Sequence, residues 1–124
     1  MVKNLPKAEG GQEPLPEGLL WLLMTGELPT KEEFKAIAEE MKARSAVPHE
    51  TEEFIKHLPH HMHPMTQLSV AILHLQSQSK FAKAYRQGIH KSKYWEPMYE
   101  DCIDLIAKIP RVAALIYRHL YKVF

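Results

Sequence analysis

The chain has 124 residues, which is at most one domain by length, with an ordinary globular balance of 45% apolar and 25% charged residues. Sixteen basic residues face fifteen acidic ones, leaving a formal charge of +1 and no electrostatic case for nucleic acid. The longest apolar run, Leu19–Met24, is too short to span a bilayer, and the single Cys102 excludes an intramolecular disulfide, which suits a reducing compartment.

Residues 1–13 are polar, contain Gly10-Gly11, and read as a loop or a frayed end. Met1–Lys7 has neither the Arg-rich amphipathic pattern of a transit peptide nor the apolar core of a secretory signal. Leu15–Thr30, reading LPEGLLWLLMTGELPT, then describes a helix–turn–helix joint. An apolar helix opens at Pro16 and stops at Gly26, which supplies a left-handed cap; Pro29 blocks continuation. Thr30 starts the next helix, with Glu33 placed to complete a capping box.

Phe34, Ile37, Ala38 and Met41 recur at i, i+3, i+4, i+7, one apolar face on a second helix spanning about 31–44. Ala46-Val47-Pro48 ends it. A short third helix carries Phe54, Ile55 and Leu58 and is stopped by Pro59. Pro64 suits the first turn of a fourth helix, about 64–77, with the stripe Met65, Leu68, Ala71, Ile72 and Leu75. Phe81, Ala84 and Tyr85 mark a fifth helix that ends near Gly88.

The last segment, about 94–122, has the stripe Met98, Cys102, Leu105, Ile106 and Ile109, continued by Ala113, Ile116, Tyr117 and Leu120. Cys102 reads as a small buried hydrophobe. Pro110 lies inside this pattern, where a kink or break is expected. Ile103, Val112 and Leu115 place apolar groups on further faces, so the helix is expected to be buried on most sides, by a second copy or by the rest of a larger protein. Nine prolines against five glycines fit many short helices with sharp stops, and no segment alternates as a half-buried strand would. The fold class is all-α, with helices joined by short Pro/Gly turns.

Eight histidines are conspicuous, four of them in His57–His63. Zinc wants three or four N, S or O ligands, and Pro59 breaks the helical relation between His57 and His61, so no native metal site is expected there; adventitious nickel or zinc binding stays open. The plain reading is a solvated loop, with His63 near the start of the Pro64 helix. His74, His90 and His119 sit on helices or helix ends without an assignable nucleophile or base partner and read as structural. Lys80, Lys83, Arg86, His90, Lys91 and Lys93, interleaved with Phe81, Tyr85 and Tyr94, form either a solvated helix face or a phosphate-binding patch. The acids Glu32, Glu33, Glu39, Glu40, Glu50, Glu52 and Glu53 look like solvation and first-turn dipole complements.

The wording of three segments adds what periodicity alone does not. Pro14–Thr30, then His63-Pro64-Met65 with Gln67-Leu68-Ser69, then Tyr94-Trp95-Glu96 with Tyr99–Lys108, Pro110, Val112-Ala113-Ala114 and Ile116-Tyr117-Arg118 closely resemble the citrate synthase family, in the family's order. Together they cover most of residues 5–121, and the likeness is to the eukaryotic, mitochondrial type. The resemblance implies residues 14–124 as an internal segment of the large helical domain, with 1–13 as a leading loop.

By the same resemblance the parent enzyme is an acyltransferase of the tricarboxylic acid cycle. It condenses acetyl-CoA with oxaloacetate and water to citrate and CoA, without a metal or a tightly bound cofactor, as a homodimer in the mitochondrial matrix. The targeting segment would then lie outside this chain. The family's two catalytic histidines and its catalytic aspartate come later than the region matched, so no catalytic residue is assigned, and Glu100, Asp101 and Asp104 receive no catalytic role. The segment is expected to supply scaffold and dimer contacts through helices matching about 64–77 and 94–120, and to be inactive alone. Lys91 occupies a position where the family commonly has an arginine that helps bind the phosphorylated end of CoA across the dimer; lysine keeps the charge and loses the bidentate fork. Pro97 departs from an apolar helical position of the pattern, so the last helix is expected to begin later or bend there, and Val123-Phe124 does not continue the family wording. Two other classes stay open on the residues alone: a free-standing α-helical interaction module and a histidine-rich metal-binding protein.

Overall fold

A computed structural model describes residues 2–121. Met1 lies outside the described residues, as do Val123-Phe124 and Lys122, where the expected end of the last helix falls. The architecture is all-α: α1 (Pro16–Thr25), α2 (Lys31–Arg44), α3 (His49–Lys56), α4 (Pro64–His74), α5 (Lys80–Arg86) and α6 (Trp95–Tyr121). Among the described residues there is no β-strand, only an isolated antiparallel bridge from Lys7 to Pro14. None of these helices is long and apolar enough to cross a membrane. The chain divides into two compact units, Met1–Ala43 and Arg44–Phe124.

In the first unit the joint forms as the sequence implies. Gly26 adopts φ 75° and its N–H donates to the Leu22 carbonyl at 2.8 Å. The Thr30 hydroxyl accepts from the Glu33 N–H and the Glu33 carboxylate from the Thr30 N–H, both at 3.2 Å, a complete capping box. Gly18 is buried where α1 meets the N-terminal loop. A Cβ there would lie 3.2 Å from Pro6 Cδ and 3.6 Å from Phe34 Cδ2, so glycine permits the close approach. The loop itself is tied down rather than frayed: the Leu15 N–H donates to the Pro6 carbonyl at 2.9 Å and Leu5 is buried.

The second unit is built on a cluster of Val47, Ile55, Ala71, Val112 and Ile116, flanked by Leu68, Leu75, Leu115 and Leu120. Burying a side chain such as Ile55 or Val112 contributes roughly 1.5–3 kcal/mol before chain entropy is counted. Three element ends differ from expectation. α3 stops at Lys56, so Leu58 reaches the interior from the following loop. α4 yields at His74 to a 3-10 turn over Leu75–Gln78. α6 begins at Trp95, and Pro97 neither delays nor costs it a bond: the N–H of Met98, donating to Tyr94 O at 3.3 Å, opens the ladder, leaving Pro97 in the first turn, where no partner is needed.

Two expectations about α6 are corrected in part. Of the kink or break expected at Pro110, the break does not occur: the helix runs uninterrupted to Tyr121. The missing N–H frees one carbonyl, that of exposed Ile106, and buried residues on both sides of the proline hold the helix together. Nor is the expected stripe buried as a whole: Ile116 is buried and Leu105, Ile109 and Leu120 are half-buried, but the rest lies outside. The buried residues are Ile103, Ala107, Val112 and Ile116, whereas Met98, Cys102, Ile106 and Tyr117 are exposed. Five positions separate Ala107 from Val112, about 140° around an ideal helix. Burial thus changes sides near Pro110, so a stripe that assumes one side captures Ile116 and misses Ile103, Ala107 and Val112. Cys102 belongs to that outer stripe and is not a buried hydrophobe.

Candidate functional site

The seven-residue histidine loop is a structural clasp. Gln67 on α4, fully buried, donates from Nε2 to the carbonyls of Pro59 at 3.2 Å and Met62 at 3.0 Å. His119 on α6 donates from Nε2 to the Leu58 carbonyl at 2.9 Å, and its ring stacks on His60 at 4.4 Å. His57 Nδ1 lies 2.7 Å from the Glu53 carbonyl. His63 caps α4, its Nδ1 accepting from the Met65 N–H at 3.1 Å, as its place before Pro64 suggests. His74 bonds Thr51 at 3.0 Å and stacks on Phe54. Among the described residues no three His, Cys, Asp or Glu side chains converge as metal ligands would.

The basic run Lys80–Lys93 does not act as one patch. Lys80 turns to α6, where its ammonium meets Asp104 at 3.1 Å and Glu100 at 3.4 Å. Arg44 contacts the same two carboxylates at 3.0 and 2.7 Å. Hydrogen bonding to Asp104 raises the Lys80 pKa against the opposing effect of burial. The Arg44 guanidinium holds Glu100 below its usual value. Burial pushes Asp104 up, but Lys80, Arg44 and Lys108 together outweigh it and leave the carboxyl lowered. Asp101, one turn away, caps α5: it accepts from the Lys80 N–H at 2.8 Å, the Phe81 N–H at 3.0 Å and the Ser79 hydroxyl at 2.6 Å.

That leaves Lys83, Arg86, Lys91 and Lys93 exposed, with no ion pair among the described residues. Lys91 opens a 3-10 turn, Lys91–Lys93, that follows left-handed Gly88 (φ 77°) and leads into α6. His90 caps the turn. Phe81, Tyr85 and Tyr94 stand in mutual contact beneath it, with Phe81 edge-on to Tyr94 at 5.3 Å. The phosphate-patch reading therefore narrows to the 3-10 turn and the outer side of α5. The second candidate feature is the outer stripe of α6. Trp95, Met98, Cys102, Ile106, Ala113 and Tyr117 are exposed along one side, and with Pro64, Met65 and Leu68 of α4 the C-terminal part walls an apolar groove of about 220 Å³.

The second unit is thus all-helical, with an exposed apolar side on α6 and a cationic turn before it. The family described as "Citrate synthase, C-terminal domain" matches residues 8–123, and the chain belongs to the citrate synthase family. It is similar to "Citrate synthase 4, mitochondrial" of Arabidopsis thaliana, 55% identical over 120 residues. It is likewise similar to "Citrate synthase, mitochondrial" of Daucus carota, at 58%, and of Kajikia audax, at 54%. The matches cover 97% of this chain but only 25%, 25% and 26% of those proteins, so the chain spans about a quarter of their length.

The long-range partners have no local mark in the sequence. Nothing local marks Gln67 as a clasp or Asp101 as a cap for another helix. One signal was available: both lie in segments whose wording follows the family although neither fits an apolar stripe.

Proposed function

We propose that this chain is an internal segment of the large helical domain of a mitochondrial citrate synthase, residues 14–124 forming the helical part behind a leading loop. The parent enzyme condenses acetyl-CoA with oxaloacetate and water to give citrate and CoA. The segment supplies scaffold and a homodimer contact rather than chemistry. The observation that carries the contact is the outer stripe of α6, where Ile106 is 43% and Tyr117 58% exposed, with the α4 groove beside Tyr117. The relatives named above support the enzyme class and the mitochondrial address, and they weigh against a free-standing interaction module.

Within this reading Lys91 is the one ligand-facing residue, its ammonium meeting a phosphate of CoA bound mainly by the other subunit. Its exposure, its position in a capped turn and the lack of a carboxylate partner support the role. The test is kinetic. Lys91→Ala in the parent enzyme should raise KM for acetyl-CoA roughly three- to tenfold, as loss of one charge-assisted contact with partial solvent exposure requires. KM for oxaloacetate should stay within twofold, and Lys91→Arg should retain or improve CoA binding. Unchanged acetyl-CoA kinetics in Lys91→Ala at low salt would make Lys91 a solvated side chain only. Residues 1–124 alone should show no turnover in a coupled assay with both substrates.

A further inference from the structure

We infer that His90 is a positioning residue for Lys91: it locks the backbone that presents the ammonium, without touching the ligand itself. This rests on the Lys91 reading above and adds to it the device that makes the contact specific. His90 Nδ1 lies 3.3 Å from the Ser92 amide nitrogen and 2.9 Å from the Ser92 hydroxyl. The amide can only donate, so Nδ1 is the unprotonated ring nitrogen and accepts from both groups. Lys91 is the residue spanned by that bond. The His90 carbonyl accepts from the Lys93 N–H at 2.9 Å and the Lys91 carbonyl from the Tyr94 N–H at 3.2 Å, so the backbone on both sides of Lys91 is fixed.

The consequence for binding follows from side-chain entropy. A lysine on a mobile loop loses backbone and rotamer freedom on meeting a phosphate, whereas one on a capped turn loses rotamer freedom alone. Lysine is a point charge without the bidentate fork of arginine, so the pre-organisation available to it is the Cα–Cβ direction that the turn sets. The imidazole is exposed and forms no other hydrogen bond among the described residues, which leaves capping as its work.

The test compares His90→Ala, which removes the acceptor, with His90→Asn, a strong capping residue that restores it. In the parent enzyme His90→Ala should raise KM for acetyl-CoA threefold or more while kcat and KM for oxaloacetate change less than twofold, and His90→Asn should return KM to the wild-type value. In a double-mutant cycle, His90→Ala should add nothing once Lys91 is alanine. In the 124-residue chain, exchange of the Ser92 amide should accelerate in His90→Ala and not in His90→Asn, a readout that stands even if one enzyme variant fails to fold. A rise for Lys91→Ala without one for His90→Ala, additive effects in the cycle, or unchanged Ser92 exchange would each overturn the inference. No effect of Lys91→Ala would overturn the Lys91 reading and this one with it.

Discussion

Asp101 belongs to α6, yet its Oδ2 takes the Ser79 hydroxyl at 2.6 Å while the same carboxylate accepts the first two N–H groups of α5. The Ser79 hydroxyl oxygen in turn accepts from the Ala82 N–H at 3.1 Å. A seven-residue helix has too few internal bonds to stand alone, and three of its orphan donors are satisfied by this serine–aspartate pair. Asp101→Ala should therefore lower stability by about 1–2 kcal/mol, the range of a lost cap. Amide exchange at Lys80 and Phe81 should rise with it. Asp101→Asn, which keeps one acceptor, should fall between. A urea midpoint unchanged in Asp101→Ala would show that α5 is held by packing alone.

The cluster of Arg44, Lys80, Glu100 and Asp104 predicts a pH window. The two carboxyls are lowered in the folded chain, so their contribution is present above the unfolded values near 4.5 and 3.8 and is lost as pH falls through the lower folded values. Lys80 is raised, so its contribution is complete below 10.5 and is lost as pH rises through the higher folded value. Thermal unfolding should show a plateau between these limits with a fall at each end. The quadruple replacement by Gln and Met should flatten both edges. Edges of equal size in that variant would assign the pH dependence to other groups.

Gln67 gives a third prediction. Gln67→Ala removes both bonds to the 57–63 loop; the Pro59 carbonyl keeps the Met62 N–H at 3.1 Å while the Met62 carbonyl loses its partner, so the change should cost about 2–4 kcal/mol, combining a cavity with one unpaired polar group. Limited proteolysis should then cut within His57–His63 faster than elsewhere. Cleavage at the wild-type rate would mean that the His119–Leu58 bond holds the loop unaided.

How much of this was legible in the sequence depends on how local each cause is. Gly26, Thr30 with Glu33, and His63 before Pro64 act over two to four positions, and the joint and the α4 cap are readable directly. The buried face of α6 is legible only at Ile116, because burial passes from Ile103 and Ala107 to Val112 and Ile116 across Pro110, and periodicity assumes one face per helix. Lys80 reads as part of a basic patch and is instead neutralised by acids twenty and more residues away. The distinction between Lys80 and Lys91, which decides where an anion could be met, is a fact of tertiary structure.

The claim that the segment works by presenting an interface is tested most directly by sedimentation equilibrium of the 14.4 kDa chain at micromolar concentration. Ile106→Glu serves as the control, because Ile106 lies on the outer stripe and not in the core formed with Ile116. The wild-type chain should self-associate, dominated by the dimer, and Ile106→Glu should be a helical, folded monomer. A wild-type chain that stays monomeric throughout, or an Ile106→Glu variant that associates as well as wild type, would contradict the claim.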